Sequence, residues 1–367
     1  MSKRFVYSIN NMRGLCMLGV IAIHIGSIAL TNPYPNIWLI GILEILSRYS
    51  VPAFFFLSAF GLFYNHPLTQ SFSYLEYIKK RLKTVLIPYL AWSLFYLLYT
   101  ATISHQVQLL YPLAILKSLW YGLGMYHLYF LVILLWFYLL MPVWRYLLTY
   151  INQYPRFIMP LLFISNVLFN YYSSYIWITP AHSFWHDAIA YRLNYLIFHY
   201  LFIFLFGAFV ATYWQIVLHW LHQHGKLLCF AQLVTTAGMI SAYLGVMHAW
   251  HYDPLSAVFT IHQLSPIGMC YTVSTLLFCL YIWECHTFPP FWHTFFQRLG
   301  DASYPIYLIH PLFLSMGTGL LNHYHIIPST RYILLLYVSI TLLSYIYASI
   351  LGKISLPSFL RLCLQGK

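Results

Sequence analysis

The sequence predicts an all-α polytopic membrane protein with about ten transmembrane helices, and three observations lead to this fold class. Hydrophobic residues fill 61% of the 367 positions and charged residues only 7%, whereas a soluble domain carries about 25% charged residues. Mean hydropathy is +0.72. Apolar runs of about 20 residues, long enough to cross a bilayer, recur along the chain and do not alternate with the period of two typical of a membrane β-barrel.

The apolar runs are separated by short polar connections, so no soluble domain is expected between them. Residues 1–367 therefore form one predicted integral membrane domain. The predicted spans cover residues 12–31, 38–63, 84–103, 126–148, 156–176, 195–217, 227–249, 263–283, 300–320 and 332–351.

The distribution of basic residues predicts the orientation of these spans. Of 18 Lys and Arg residues, Lys117, Arg192 and Arg331 fall on one side of the alternating topology, Arg48 falls inside a span, and the others fall on the opposite side. Cytoplasmic loops carry the excess of Lys and Arg, so both termini are predicted to be cytoplasmic. The net charge of +12 thus comes mostly from the basic residues of the predicted cytoplasmic loops. The expected partner is the lipid bilayer, and no nucleic acid is expected.

The first span, within MRGLCMLGVIAIH, contains two ionisable residues, Arg13 and His24. They are eleven positions apart, about three helical turns, so both lie on one face and His24 is about 16 Å deeper than Arg13. Ionisable residues inside a membrane indicate function, and we expect a cleft running from the cytoplasm toward the bilayer centre. In the alternative interpretation, Arg13 reaches the headgroups and His24 bonds to a neighbouring helix.

The second span contains Glu44 and Arg48 at positions i and i+4. This spacing favours a local ion pair on one helix, and pairing lowers the cost of placing charges in a membrane. The structural interpretation is therefore preferred for these two residues. An anion-binding role for Arg48 is the alternative.

A basic segment, KKRLKTVLIPYL, precedes the third span and includes Lys80, Arg81 and Lys83. Such a cluster is ordinary at a cytoplasmic membrane edge. It could also hold a polyphosphate ligand, such as a nucleotide or coenzyme A, because several cations attract and bind phosphate groups.

The ninth span begins LGDASYPIYLIHPLF and contains a third polar face. Ser303, Tyr307 and His310 fall at i, i+4 and i+7, so they share one side of a helix that Pro305 and Pro311 allow to bend.

No metal site is predicted, because the six cysteines form no C-x-x-C pair and the histidines of HWLHQHGK have no neighbouring carboxylate.

Taken in order, these motifs resemble membrane acyltransferase family 3, integral membrane enzymes that modify surface glycans. The resemblance rests on the first-helix segment RGLCMLGVIAIH, on RYSVPAFFFLSAF (48–60), YIKKRLKTVLIPYL (77–90), HLYFL (127–131) and SYPIYLIHP (303–311). Two departures stand out. Ser58-Ala59 replaces the Ser-Gly of the family, and Arg81-x-x-Thr84 replaces its paired arginines, which leaves open which cation contacts the donor.

The resemblance implies transfer of an acyl group, usually acetyl, from cytoplasmic acyl-CoA to a hydroxyl of a surface or lipid-linked carbohydrate. The donor is then a co-substrate, acetyl-CoA or another acyl-CoA, and no cofactor is permanently bound. The chain is expected in a bacterial plasma membrane, and a homo-oligomer is left open. We assign His24 as the general base, because imidazole suits proton transfer near pH 7. Arg13 is the second predicted catalytic residue, expected to hold coenzyme A phosphates or to orient the thioester.

The remaining candidates fall into two groups. Predicted donor-binding residues are Lys80, Arg81, Lys83 and Arg48, and candidates for substrate binding or proton relay are His310, Tyr307, Ser303, His127 and Glu44. The alternative function is a carrier or flippase for an acyl group or glycolipid without transferase activity. The sequence shows no internal repeat of the kind on which many transporters are built.

Overall fold

Helices make up nearly all of the computed structural model, which describes residues 6–180 and 184–366 and contains no β-strand among them. The predictions for Lys3, Arg4 and Lys367 lie outside the described residues. The helices are α1 Tyr7–Ala29, α2 Ile37–Asn65, α3 Tyr74–Ser104, α4 Pro112–Tyr121, α5 Tyr129–Leu139, α6 Met141–Ile151, α7 Pro155–Tyr171, α8 Ile197–Thr212, α9 Trp214–Gln223, α10 Gly225–Ala249, α11 Pro254–Thr260, α12 Pro266–Cys285, α13 Pro290–His323, α14 Thr330–Lys353 and α15 Ser358–Gln365. Short helical segments at His186–Ala190 and Arg192–Tyr195 precede α8.

The predicted fold class is confirmed. Within the described ranges, six helices are long and apolar enough to cross a membrane, or up to eight if each of two bent pairs is one span. The helices α7 and α13 match the predicted spans 156–176 and 300–320 but are not among these eight. The count of ten and the cytoplasmic location of the termini therefore stay predictions.

Two spans predicted as continuous are broken. The chain bends by 68° between α5 and α6, inside predicted span 126–148, and by 94° between α8 and α9, inside predicted span 195–217. Pro142 stands at the start of α6. Because proline has no backbone N–H and clashes with the preceding turn, it favours a new helix at this position. Nothing in the local sequence explains the second bend.

Helices α1 and α13 lie side by side and run in the same direction. Near the beginning of α1, the Asn10 side chain donates to Asp301 at 2.9 Å; toward the end of α1, His24 stacks on His310, nine residues after Asp301 in α13. Two glycines permit this contact. A side chain at Gly14 would meet the backbone of α13, and one at Gly300 would meet the Asn10 carbonyl oxygen. Small residues of this kind let membrane helices approach backbone to backbone.

The second helix runs antiparallel to α1. Its end lies beside the beginning of α1, where Gly61 is next to the Arg13 guanidinium, and its first third lies beside the end of α1, where Glu44 contacts Gly26. Helix α3 runs parallel to α13, because Tyr96 donates to the Leu308 carbonyl and the later Tyr99 bonds to the later Ser315. These relative directions agree with the alternation of the predicted spans.

Candidate active site

Arg13 and Arg81 face one cavity of about 270 Å³ between α1, α2, α3, α5 and α13. The remaining wall is part polar and part apolar, and comprises Phe54, Ser58, Phe130, Leu131, Leu134, Ser303, Tyr304 and Tyr307. Ser58 is within 2.8 Å of the Tyr138 hydroxyl. Arg81 lies over two aromatic rings, 5.6 Å from the Tyr77 centroid and 5.3 Å from that of Tyr138, and such cation–π contacts hold a guanidinium without neutralising it.

Among residues 6–180 and 184–366, neither guanidinium of this cavity forms a salt bridge with a carboxylate. In the part of the chain that the structure describes, ion pairs form between Arg48 and Glu44 and between Lys117 and Asp187. Arg13 and Arg81 therefore place two guanidinium groups, neither held in a salt bridge, in one half-open cavity. Buried charges are costly unless paired, so the cavity is suited to a negatively charged ligand, for which arginine offers paired N–H donors.

Three histidines from three helical regions meet beyond this cavity. His24 of α1 and His310 of α13 stack with ring centroids 5.4 Å apart and planes 22° apart. His127, just before α5, meets His310 edge to face, also with centroids 5.4 Å apart. We call His24, His127 and His310 the histidine cluster. No group of His, Cys, Asp or Glu side chains within residues 6–180 and 184–366 is placed to hold a metal ion.

Within the histidine cluster, His310 has a defined tautomer. Its Nδ1 lies 2.9 Å from the Tyr307 carbonyl oxygen and 3.1 Å from that of Ile306. Carbonyl oxygens only accept, so Nδ1 carries the proton and the neutral ring keeps its lone pair on Nε2. That Nε2 is buried without a hydrogen-bond partner, as are both ring nitrogens of His127. Buried polar atoms are normally paired, so these three ring nitrogens are free to bond to a polar group that enters the histidine cluster.

Tyr307 connects the cavity lined by Arg13 and Arg81, which we call the arginine cavity, to the histidine cluster. Its ring lines the cavity, lies 4.8 Å from the His127 ring, and its hydroxyl donates to the His127 backbone carbonyl. At the far side of the cluster, His24 is half-buried, and its ring centroid lies 4.5 Å from that of Tyr126. Tyr126 is 46% exposed. A continuous series of rings thus links the arginine cavity to an exposed edge beside His24.

The structure divides what the sequence predicts as one cleft. Arg13 and His24 do share a face of α1, but Arg13 is six residues from the start at Tyr7 and His24 is five residues from the end at Ala29. The arginine cavity is lined by Arg13 and not by His24. His24 therefore lies outside this cavity, in the second half of α1, and the predicted cleft that joins the two residues stays a prediction.

The four residues predicted to bind the donor are in different surroundings. Arg81 lines the arginine cavity, whereas Lys80 and Lys83 are exposed. Arg48 is held elsewhere, because it donates to Glu44 and, at 3.2 Å, to Gln263. The predicted ion pair between Glu44 and Arg48 is confirmed.

The five relay candidates also separate into groups. Ser303 and Tyr307 line the arginine cavity, and Ser303 donates to the Gly300 carbonyl at 2.7 Å. His127 and His310 belong to the histidine cluster. Glu44 lies beside the end of α1, where it accepts from Ser27 at 3.1 Å.

Sequence reasoning missed several residues of the site. Tyr126, Tyr138 and Tyr304 surround the arginine cavity or the histidine cluster, and no motif distinguished them from the many other tyrosines of the chain. Ser58 lies inside a motif used for the resemblance, which was the one signal available for it.

The helical bundle, with arginines and histidines partly or fully buried between its helices, defines a multi-pass membrane protein with a polar site inside it. A family model described as "Acyltransferase domain" matches residues 6–349. The chain belongs to this family, membrane acyltransferase family 3.

Similar proteins occur in Staphylococcus aureus. The chain is 25% identical over 247 residues to a "Probable poly-beta-1,6-N-acetyl-D-glucosamine export protein" of strain MRSA252, and the match covers 65% of this chain and 62% of that protein. It is 24% identical over 248 residues to a protein of the same name from strain MSSA476, with the same coverage. The matched region thus spans less than two thirds of these relatives. No solved structure matches the chain.

Proposed function

We propose that the protein is a membrane O-acyltransferase that moves an acyl group, acetyl in the simplest case, from acyl-CoA to a hydroxyl of a surface or lipid-linked carbohydrate. The observation that carries this proposal is the pair of guanidinium groups, Arg13 and Arg81, in one cavity, neither held in a salt bridge with a described residue. Membership in an acyltransferase family supports the reaction class.

In this proposal the arginine cavity receives the donor. Coenzyme A carries phosphate groups, and the thioester carbonyl becomes negatively charged during acyl transfer. Two guanidinium groups in a space of low dielectric stabilise either kind of charge. The exposed side chains of Lys80 and Lys83 lie on the same helix as Arg81, where they attract the polyphosphate from solvent.

His24 acts as the general base toward the acceptor. A sugar hydroxyl is a weak nucleophile until a base removes its proton, and imidazole is suited to that task near neutral pH. The half-buried ring of His24, next to the exposed Tyr126, gives an acceptor hydroxyl a route to the base. Sugars commonly pack on such aromatic rings through their apolar faces.

The acceptor we propose is an amino-sugar polysaccharide of a bacterial cell envelope, with the protein in the plasma membrane. The support comes from relatives whose name refers to poly-beta-1,6-N-acetyl-D-glucosamine. The same name favours a second candidate function, export of such a polymer without acyl transfer, because those relatives are called export proteins.

Membrane vesicles that contain their own glycans separate the two functions, because the vesicles themselves supply the acceptor. Vesicles with wild-type protein receive acetyl-CoA labelled in the acetyl group, and alkali-labile label in the glycan fraction is measured. An acyltransferase produces labelled ester together with an equal amount of free coenzyme A. A carrier gives no ester above that of vesicles lacking the protein, and this result would refute the proposal.

A further inference from the structure

His310 occupies a position that the role of His24 leaves unexplained. It is fully buried, it stacks on His24, and its Nε2 is buried without a partner. A single general base is sufficient to activate a hydroxyl. The second imidazole, His310, has an unpaired lone pair and lies between the arginine cavity and His24. The role of His24 as base does not explain this position.

The backbone around His310 holds its ring in one state. Pro311 has no N–H, so the Tyr307 carbonyl, four residues earlier, lacks its helical donor. The His310 Nδ1–H supplies that donor at 2.9 Å, and it is shared with the Ile306 carbonyl at 3.1 Å. Donation from Nδ1 leaves the lone pair on Nε2 and fixes the orientation of the ring. A histidine prepared in this way is suited to act as a nucleophile.

We propose that His310 is a further catalytic residue, whose Nε2 accepts the acyl group from the thioester and carries it to the acceptor. The inference rests on the proposed acyltransferase function. In this inference, His310 carries the acyl group from the arginine cavity, at one end of the ring series, to His24 at the other end.

The transfer takes place in two balanced steps. In the first, the Nε2 lone pair attacks the thioester carbonyl carbon, a C–N bond forms, the C–S bond breaks, and coenzyme A leaves as thiolate. In the second, His24 takes the proton of the acceptor hydroxyl, the oxygen attacks the acyl carbon, and the C–N electron pair returns to Nε2. His24 then releases its proton to solvent, and the coenzyme A thiolate takes up a proton from solvent.

The surroundings of His310 support the intermediate of the first step. An acyl-imidazolium ion keeps its proton at Nδ1, and the Ile306 and Tyr307 carbonyl oxygens that accept this proton stabilise the positive charge. The His24 ring, 5.4 Å away, is close enough to direct an acceptor oxygen at the acyl carbon. Tyr307 lines the arginine cavity and contacts His127, so its ring must move aside for the acyl group to pass.

An exchange reaction tests the first step alone. Purified full-length protein in lipid nanodiscs is given acetyl-CoA and isotopically labelled free coenzyme A, without any acceptor, and formation of labelled acetyl-CoA is measured. An acyl-enzyme catalyses this exchange, whereas direct transfer from donor to acceptor does not. We expect exchange by the wild type and by His24→Ala, although His24→Ala no longer acylates glycan in vesicles.

His310→Asn is the decisive variant. Its amide N–H₂ can donate to the same two carbonyl oxygens, which preserves the helix at Pro311, but it has no nucleophilic lone pair. We expect exchange to fall at least about 100-fold in His310→Asn, as in His310→Ala, while the exposed His219→Asn exchanges like the wild type.

The outcomes separate the two proposals. Wild-type exchange in His310→Asn, or no exchange by a wild-type protein that makes glycan ester in vesicles, would overturn the role of His310 alone. Absence of glycan ester from wild-type vesicles would instead overturn the proposed function.

Discussion

The imidazole rings of His24 and His310 stack with their centroids 5.4 Å apart, although one belongs to the first membrane helix and the other to the long helix near the end of the chain. The parallel packing of α1 and α13, through Gly14 and Gly300, brings them together. Two imidazoles at this distance repel each other when both are protonated. The pair therefore favours a state with at least one free base, as the proposed reaction requires.

Arg81, and not the neighbouring lysines, is expected to determine donor affinity. Replacing Arg13 or Arg81 by Ala removes one of two guanidinium groups from the arginine cavity. We expect KM for acetyl-CoA to rise about 10- to 100-fold, the loss associated with one charge-assisted contact. Lys80→Ala is the matched control, because that side chain is exposed, and it should change KM by about twofold at low salt. An equal effect of Lys80→Ala and Arg81→Ala would contradict this assignment.

The Glu44–Arg48 pair is expected to stabilise the fold rather than to bind the donor. The two side chains are 2% and 12% exposed, and Glu44→Gln leaves the Arg48 charge uncompensated. Breaking a buried pair costs about 3–5 kcal/mol, so thermal unfolding in detergent should occur at a clearly lower temperature. The double variant Glu44→Gln/Arg48→Met removes both charges and should recover part of the loss. A single variant as stable as the wild type would show that the pair is not structurally important.

Close packing of α1 on α13 is expected to position the histidine cluster. A side chain at Gly300 meets the Asn10 carbonyl oxygen, whereas one at Gly319 of the same helix meets nothing within 4 Å. Gly300→Val should therefore separate the helices, lower stability by at least about 1–3 kcal/mol and reduce acyl transfer. Gly319→Val should leave thermal stability and transfer close to wild type. Similar behaviour of the two valine variants would argue against the close contact.

The Tyr307 hydroxyl is expected to position His127. Tyr307→Phe removes the hydroxyl that donates to the buried His127 carbonyl oxygen, which then keeps only the Phe130 N–H at 3.2 Å. The loss is about 0.5–1.5 kcal/mol at the junction of the arginine cavity and the histidine cluster. We expect acyl transfer to slow about tenfold. The control is Tyr337→Phe, which removes a tyrosine hydroxyl that donates to the Leu18 carbonyl at 3.3 Å outside the site. If both variants lost activity equally, Tyr307 would have no special role.

The sequence was sufficient for those features that depend on local periodicity. Hydrophobic run length predicted the helical membrane fold, and i,i+4 spacing predicted the Glu44–Arg48 pair. Shared faces were also predicted, for Arg13 with His24 and for Tyr307 with His310. Each of these depends only on the geometry of a single helix.

Contacts between helices could not be predicted in the same way. Nothing local distinguishes Arg81, which turns into a cavity, from Lys80 and Lys83, which face solvent. The depth of His24 relative to that cavity depends on where α1 begins and on how α13 packs against it. The three histidines meet only because helices distant in sequence pack together.

The most direct test of the central claim is the ester-linked acyl content of surface glycans in cells that produce equal amounts of wild type, His24→Ala or His219→Ala. His219 is exposed and serves as a matched control for loss of a histidine. The proposed mechanism predicts that His24→Ala falls to the level of cells without the protein, while His219→Ala retains wild-type content. Wild-type ester content in cells with membrane-inserted His24→Ala would contradict it.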